Sequence, residues 1–138
     1  MQALPLRLEP GDDLRGRLEA LAREQGWPAA FVLSGIGSLS AVALRLADAT
    51  EPRRWRAPVE VLSLSGSVGP DGAHLHATVA DADGRVIGGH VCHGCEVRTT
   101  AELMLVHLDG HRFERRPDPR TGYDELVVRA VVPPAGPA

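Results

Sequence analysis

The chain has 138 residues, 43% of them apolar and 4% aromatic, so it is long enough for one domain with a core of valine, leucine and alanine. Its net charge is -3 and all 15 basic residues are arginine, a balance that argues against a basic nucleic-acid-binding surface. No apolar run approaches the ~20 residues of a membrane span, and the N-terminus lacks a signal-peptide pattern, so we expect a cytoplasmic protein with no membrane association.

The first part of the chain predicts a strand, a helix and a buried strand. Residues 4–8 alternate apolar and polar side chains, as a short strand does. After a turn with an N-capping aspartate in residues 10–13, apolar residues recur at helical spacing until Gly26 ends the helix: Leu14, Leu18, Leu21 and Ala22. Residues 29–34 form the continuous apolar run of a strand covered on both faces, and the glycines of residues 35–38 break or bulge the chain.

Two further strands are predicted in the middle of the chain. Residues 39–47 alternate, with Arg45 on the face opposite the apolar side chains. A polar loop over residues 50–58 then leads to a strand over residues 59–67. We interpret Arg45 as a structural ion-pair partner in preference to a ligand for an anionic substrate.

The stretch from residue 72 to residue 100 contains four of the six histidines and both cysteines. Residues 73–80 alternate, which predicts a half-buried strand with His74 and His76 on the same face. The following Asp-Ala-Asp-Gly segment is a turn signal. We expect a three-residue hairpin loop over residues 82–84, with the glycine in the left-handed conformation.

The length of this loop decides which side chains meet. A three-residue loop places His76 opposite His90, and His74 opposite Cys92. A loop one residue shorter would turn His90 to the other face. Opposed residues have Cβ atoms roughly 5 Å apart, and zinc binds imidazole nitrogen at about 2.0–2.1 Å, so the longer loop lets the three histidines close on one metal. The two glycines before His90 can instead bulge or end the second strand.

The C-terminal part predicts strands only. Residues 96–108 are the longest strand candidate, and we expect a central position because their second half is apolar on both faces. A two-residue turn at Asp109-Gly110 is followed by a returning strand, a loop and a last strand: residues 111–115, 117–122 and 126–132. The elements together predict an α+β fold, a single domain over residues 1–132 with a largely antiparallel or mixed sheet of about seven strands and one main flanking helix. The tail over residues 133–138 is predicted to be disordered.

Six short motifs lie in order along nearly the whole chain: Ser-Gly-Ile-Gly-Ser-Leu (34–39), Leu-Arg (44–45), Ser-Gly (65–66), Gly-Ala-His-Leu-His (72–76), Gly-Gly-His (88–90) and Thr-Gly-Tyr-Asp-Glu-Leu (121–126). In these motifs the chain resembles the PPC (plants and prokaryotes conserved) domain family. The resemblance implies a mixed sheet with a flanking helix, packed as a homotrimer. It also implies a metal site at the histidines of the His-x-His and Gly-Gly-His motifs, which are His74, His76 and His90 in this chain.

Plant members of the family join this domain to DNA-binding hooks of the type Arg-Gly-Arg-Pro. The similar triplet here, residues 15–17, is followed by Leu18 and lies inside the predicted helix. We interpret these residues as exposed helical arginines. Any direct DNA binding would therefore have to proceed without an AT-hook.

For His74, His76 and His90 there are two interpretations. They are three satisfied polar side chains at a subunit contact, or they bind a divalent transition metal, which we favour because strand geometry and family motif agree. Neutral imidazoles suit Zn²⁺, with Ni²⁺, Co²⁺ and Cu²⁺ as competitors. Three histidines leave one position of a tetrahedral site open, as in catalytic zinc sites, and water, a small anion or Cys92 can fill it.

The remaining candidate residues are better explained by structural roles than by functional ones. Cys92 and Cys95 form a Cys-x-x-Cys pair without a second pair for zinc or a βαβ unit for redox chemistry, so we interpret them as packing residues. Glu102 is either an acid–base or supporting group near the metal or, as we prefer, a solvated or inter-subunit charge. His107 and His111 flank a turn, and we expect both on the surface.

The sequence is compatible with three functions. The first is a homotrimeric metal-binding protein with zinc at His74, His76 and His90 and a small anion or molecule as a further ligand. The second is a DNA-associated regulator that acts without a hook. The third is a metal-dependent enzyme on a small substrate, although the sequence favours a protein that is not an enzyme, since no nucleophile or base constellation accompanies Glu102.

Overall fold

The structure, a computed structural model, describes residues 1–131. Along the chain these residues form β1 (Gln2–Leu8), α1 (Leu14–Glu24), β2 (Ala30–Arg45), β3 (Arg53–Gly69), β4 (Gly72–Ala80), β5 (Val86–Val91), β6 (Glu96–His107), β7 (His111–Asp118) and β8 (Tyr123–Ala130). The end of the predicted last strand, Val132, and the predicted disordered tail over residues 133–138 lie outside the described residues. Within residues 1–131, no helix has the length and apolar character needed to cross a membrane.

Six strands form one antiparallel sheet in the order β1-β6-β2-β3-β4-β5. The sheet curls, because β5 also pairs with the end of β2 through Leu44–Val91 and Arg45–His90. The strands β7 and β8 form a separate two-stranded sheet. The prediction of an α+β fold dominated by antiparallel sheet is confirmed, with eight strands in place of about seven. The core is aliphatic as predicted, since the largest fully buried side chains are all leucine or valine.

The helix α1 forms as the sequence predicts. The Asp13 carboxylate accepts a hydrogen bond from the Gly16 amide at 2.7 Å, which satisfies one of the free donors of the first turn. At the other end Gly26 adopts φ +64°, the left-handed conformation that ends a helix. The apolar stripe is buried against the sheet: Leu14, Leu18, Leu21 and Ala22.

The two strands predicted over residues 29–34 and 39–47 are one strand, β2. The glycine-containing segment between them bulges and does not end the strand, because register shifts within β2 absorb the extra residues. Gly37 has φ +149°, and a Cβ atom there would lie 2.7 Å from the Ala101 Cα, so the bulge needs glycine. The polar loop predicted over residues 50–58 is also shorter than expected, since Arg53 already begins β3 and pairs with Leu44.

The turn at Asp109-Gly110 forms, but the predicted return along β6 does not. Both edges of β6 are occupied, by β1 and by β2, so no edge is left for a third strand. The strand β7 therefore leaves the sheet and pairs with β8, and it extends to Asp118, inside the predicted loop. Phe113 fixes β7 to the body through a ring contact with Phe31 at 5.2 Å and an amide hydrogen bond to the Pro28 carbonyl.

One of the two histidines that flank this turn is half-buried. The His107 ring stacks on Trp27 at a centroid distance of 5.4 Å, and its side chain is 16% exposed. The prediction of a surface position for His107 holds only in part, because the Trp27 ring covers one side while the ring Nδ1 lies 3.3 Å from the exposed Asp109 carboxylate. His111 is exposed as predicted.

Candidate metal centre

The hairpin between β4 and β5 has the predicted three-residue loop. The Asp81 amide donates to the Arg85 carbonyl at 3.0 Å, and the Gly84 amide donates to the Asp81 carbonyl at 2.9 Å. Gly84 takes φ +76°, and the Asp81 carboxylate accepts from the Asp83 and Arg85 amides, which holds the turn closed. This loop length places His76 directly opposite His90.

The three histidines meet at one end of this hairpin. The His74 and His76 Nε2 atoms are 3.1 Å apart. The ring of His90 lies 4.9 Å from the ring of His74 and 5.7 Å from that of His76, measured between centroids. One nitrogen from each ring can be chosen so that all three lie within 4.8 Å of one another. The convergence predicted from the loop length is therefore present in the structure.

Burial keeps two of these imidazoles in the neutral form that binds metals. It lowers the pKa of His90 to about 4, with further lowering by the nearby His74 and by Arg45. The pKa of His74 is lowered as well, first by burial and then by the charges of Arg115 and His76. Neither ring needs to release a proton at neutral pH before it binds a cation.

Cys92 does not join the cluster. The pairing of β4 with β5 ends at His90, so the predicted opposition of His74 and Cys92 is wrong. Beyond that point the chain turns toward β2, and the Cys92 amide donates to the Ala43 carbonyl at 3.0 Å. The Cys92 side chain packs on the core. The cause is the curl of the sheet, which pairs β5 with β2 as well as with β4. The sequence of β5 does not indicate this second pairing.

The glycine pair before His90 neither bulges nor ends β5. The strand continues through both positions, with Gly88 opposite Thr78 and Gly89 opposite Ala77. A Cβ atom at Gly89 would lie 2.8 Å from the Arg45 carbonyl oxygen. The absence of a side chain thus allows β2 to approach β5 closely enough to close the sheet.

The second cysteine is a core residue, as we interpreted it. The Cys95 thiol is fully buried, donates to the Ala43 carbonyl at 3.4 Å and accepts from the Ala43 amide at 3.3 Å. Burial raises its pKa to about 11. A thiol held in the protonated form is neither a metal ligand nor a nucleophile.

Glu102 lies away from the histidines. It is an exposed residue of β6 between Arg7 of β1 and Ile36 of β2. It lines a different groove from the histidine cavity, so the solvated or inter-subunit reading of this charge is the one that the structure favours.

The histidine cluster opens into a cavity of about 790 Å³ whose other polar walls the sequence did not reveal. From α1, Arg15 reaches the cluster and lies 3.4 Å from the His90 Nε2, while Glu19 holds it at 2.8 Å. Burial raises the pKa of Glu19, but hydrogen bonds from Arg15 and His93 outweigh that effect and leave the pKa lowered. From the β7–β8 hairpin, Arg115 and Glu125 also line the cavity. The sequence carried a signal for three of these residues, since Arg15 and Glu19 are four residues apart on one helix and Glu125 lies in the motif over residues 121–126.

Arg45 was expected in an ion pair, and the structure places it elsewhere. It lies beside His90 in the β2–β5 register and lines the histidine cavity. Within residues 1–131, no carboxylate lies within ion-pair distance of its side chain.

The donor set fits a divalent transition metal. Three imidazole nitrogens within 4.8 Å of one another approach the roughly 3.3 Å separation that tetrahedral zinc imposes at bond lengths of about 2.0–2.1 Å, and small ring rotations close the gap. The buried Nδ1 of His90 has no hydrogen-bond partner within residues 1–131, so no protein group competes for it as a ligand atom.

A family model for the Plants and Prokaryotes Conserved domain matches residues 1–109. The chain belongs to this family. Two proteins from Synechococcus strains, both called bifunctional protein GlmU, are 53% identical to it over 131 residues. That match covers 95% of this chain but 21% of the relatives, so the chain spans about a fifth of their length.

Solved structures of the Plants and Prokaryotes Conserved fold resemble it closely. A hypothetical protein from Salmonella is 37% identical with a TM-score of 0.92, covering 95% of both chains. A protein from Archaeoglobus fulgidus described as metal-containing is 31% identical with a TM-score of 0.76, covering 92% of this chain and 94% of that one. A candidate DNA-binding protein from Ralstonia is 28% identical with a TM-score of 0.76, covering 91% and 89%.

Proposed function

We propose that this protein binds a divalent transition metal, zinc by preference, through His74, His76 and His90. The observation that carries the proposal is the convergence of the three imidazoles on one side of the β4–β5 hairpin. The relative from Archaeoglobus that is described as metal-containing supports it. Imidazole nitrogen suits zinc, nickel, cobalt and copper, and zinc accepts a four-coordinate site without a geometric preference of its own.

The chemistry of such a site follows from its ligand count. Three protein nitrogens leave one position for an exogenous ligand, and the metal polarises whatever occupies that position. The chain's own residues shape the surroundings: Arg15 and Glu19 from α1 brace one side of the cluster, and the β7–β8 hairpin covers another. We propose water or a small anion as the exogenous ligand, because Cys92 lies outside the cluster.

We propose further that the protein assembles as a homotrimer. Support comes from an apolar surface on the main sheet, whose exposed side chains are Leu33, Ile36, Leu62 and Met104. Ile36 and Met104 occupy neighbouring strands on one face, beside a groove of about 580 Å³ that Leu6 and Leu103 also line. An apolar surface of this kind marks a contact between proteins, and the resemblance to the PPC family is the basis for proposing three copies.

Native mass spectrometry combined with metal analysis tests both proposals. We expect one metal ion per chain in a trimer. The variant His76→Ala should lower zinc affinity by more than about 100-fold, since losing a direct ligand exceeds the 10–100-fold effect typical of outer partners. The matched control is His111→Ala, which removes an exposed histidine outside the cluster. A wild-type monomer that takes up no transition metal would contradict the two proposals together.

DNA association is the second candidate function. The specific observation in its favour is the Ralstonia relative that is described as a candidate DNA-binding protein. The net charge of -3 opposes it, as do the ion pairs that occupy Arg116 and Arg129 with Glu114 on the β7–β8 hairpin. A mobility shift of duplex DNA at low salt, lost as salt rises, would support this function, and an unshifted duplex at low salt would exclude it.

A further inference from the structure

Arg45 differs from the other two arginines in the histidine cavity. Arg15 donates to the Glu19 carboxylate at 2.8 Å and to the Val91 carbonyl at 3.2 Å. Arg115 donates to the Ser67 hydroxyl at 2.9 Å. The half-buried Arg45 side chain has no hydrogen bond or ion pair with any residue in the range 1–131. It is a cation in the cavity wall without a protein partner.

The sheet holds this cation in line with two of the metal ligands. Arg45 of β2 pairs with His90 of β5, and His90 pairs with His76 of β4, so the three residues form one row across adjacent strands. Paired residues on neighbouring strands point to the same face. The register therefore places the charge of Arg45 next to the histidine cluster.

The electrostatics of this row favour an anion once a metal is bound. Three neutral imidazoles add no negative charge, so a divalent metal keeps its full charge, and Arg45 adds one more. Four carboxylates also line the cavity, and three of them are exposed to water: Asp48, Asp71 and Asp124. Asp71 is further occupied by the Arg115 amide at 2.9 Å. The fourth carboxylate, Glu125, is half-buried and compensates the positive groups in part, while water screens the three exposed carboxylates.

We infer that the cavity binds a small oxyanion, the carboxylate or phosphate group of a metabolite-sized molecule, shared between the bound metal and Arg45. The inference rests on the proposed metal site, whose three histidines would leave one position for a ligand that is not protein. A guanidinium presents two parallel donors that match either group. The cavity volume of about 790 Å³ falls in the range of small-molecule sites.

Calorimetric titration of the full zinc-loaded chain tests this inference. The probes are inorganic phosphate, malonate and the neutral analogue malonamide, at constant ionic strength because exposed charges are screened by salt. We expect saturable binding of phosphate, of malonate or of both, and none of malonamide. Binding of phosphate alone identifies a phosphoryl ligand, and binding of malonate alone identifies a carboxylate ligand.

Three variants separate the role of Arg45 from general charge effects. Arg45→Met should weaken anion binding at least about tenfold, equivalent to about 1.4 kcal/mol, with zinc content unchanged. Arg45→Lys should fall between the wild type and Arg45→Met, because it keeps the charge but loses the two-donor fork. The matched control is Arg98→Met, which removes an exposed arginine of β6 that does not line this cavity in the described chain.

The outcomes for the metal and for the anion are distinguishable. A zinc-loaded wild type that binds neither anion overturns the oxyanion inference and leaves the metal site standing. Anion affinity that is equal in the wild type and Arg45→Met overturns it as well. A chain that takes up no metal overturns the proposed function. In that case, Arg45-dependent anion binding by the metal-free chain supports the oxyanion site, and its absence overturns it.

Discussion

The histidine cluster and the Cys95 thiol lie close together in sequence and obey the same physics with opposite results. Burial favours the neutral form of any titratable group. For His90 this form is the unprotonated imidazole, with its pKa at about 4, and it can bind a metal directly. For Cys95 the neutral form is the protonated thiol, with its pKa raised to about 11, and it cannot. Two kinds of metal-ligating residue therefore separate into a binding group and a packing group.

The comparison also shows why the sequence separation of ligands is a poor guide here. Cys92 is two residues from His90, yet it lies outside the cluster because the chain turns toward β2 after His90. His74 is sixteen positions away from His90, yet its ring lies 4.9 Å from that ring. The hairpin register decides which residues meet, and the curl of the sheet decides where that register stops.

The largest expected effect is on stability and concerns Cys95, the buried thiol of the comparison. Cys95→Ala should destabilise the protein by about 1–3 kcal/mol, because it leaves a small cavity and removes the thiol that both bonds the Ala43 backbone and fills the space. Zinc affinity should stay unchanged. Urea unfolding and a chelator competition measure the two quantities. Cys92→Ala, at a half-buried position, is the control and should cost less than about 1 kcal/mol. A folded Cys95→Ala protein with weakened zinc binding would break the comparison.

The next largest effect concerns the histidine cluster: the stability of the metal-free protein should depend on pH. The pKa of His90 is about 4 in the folded protein, against 6.5 as its ordinary value, so the unfolded chain takes up a proton first as pH falls. The stability of the metal-free protein should therefore be complete above pH 6.5 and decline toward pH 4. We expect the free energy of unfolding to fall by about 1–2 kcal/mol. This is less than the full free-energy equivalent of the pKa shift, because water in the cavity screens the charge on His90.

Urea unfolding of the metal-free chain between pH 4 and pH 7.5 measures this slope. His90→Asn should flatten it, and the exposed His111→Asn should leave it as in the wild type. An identical slope in the wild type and His90→Asn would show that burial does not keep this imidazole neutral.

The smallest effect concerns the loop that sets the register. Gly84→Ala should destabilise the protein by about 1 kcal/mol, because φ +76° disfavours a side chain although the space around the position is open. Gly84→Asn should cost less, since asparagine tolerates this conformation. Zinc affinity should be equal in both variants, because the three-residue loop remains. If Gly84→Ala lowers zinc affinity as well, the loop conformation and not only its length controls the cluster.

Local patterns were enough to predict the elements nearest to the site. The alternation of residues 73–80 and the turn chemistry of Asp81 and Gly84 predict a hairpin whose length brings His76 against His90, and the structure has that hairpin. The cap at Asp13 and the glycine at position 26 bound the helix correctly. These features depend on contacts between residues that are close in sequence, so the sequence carries the information directly.

What the sequence by itself determined is therefore the helix, the strand faces and the grouping of His74, His76 and His90. Only the tertiary structure decided that β5 pairs with β2 and that β7 pairs with β8 and not with β6. The same long-range contacts place Arg45 in the histidine cavity instead of an ion pair. The physical reason is that each of these outcomes depends on which strand edges are already occupied, and an edge is occupied or free only after the distant strands have paired.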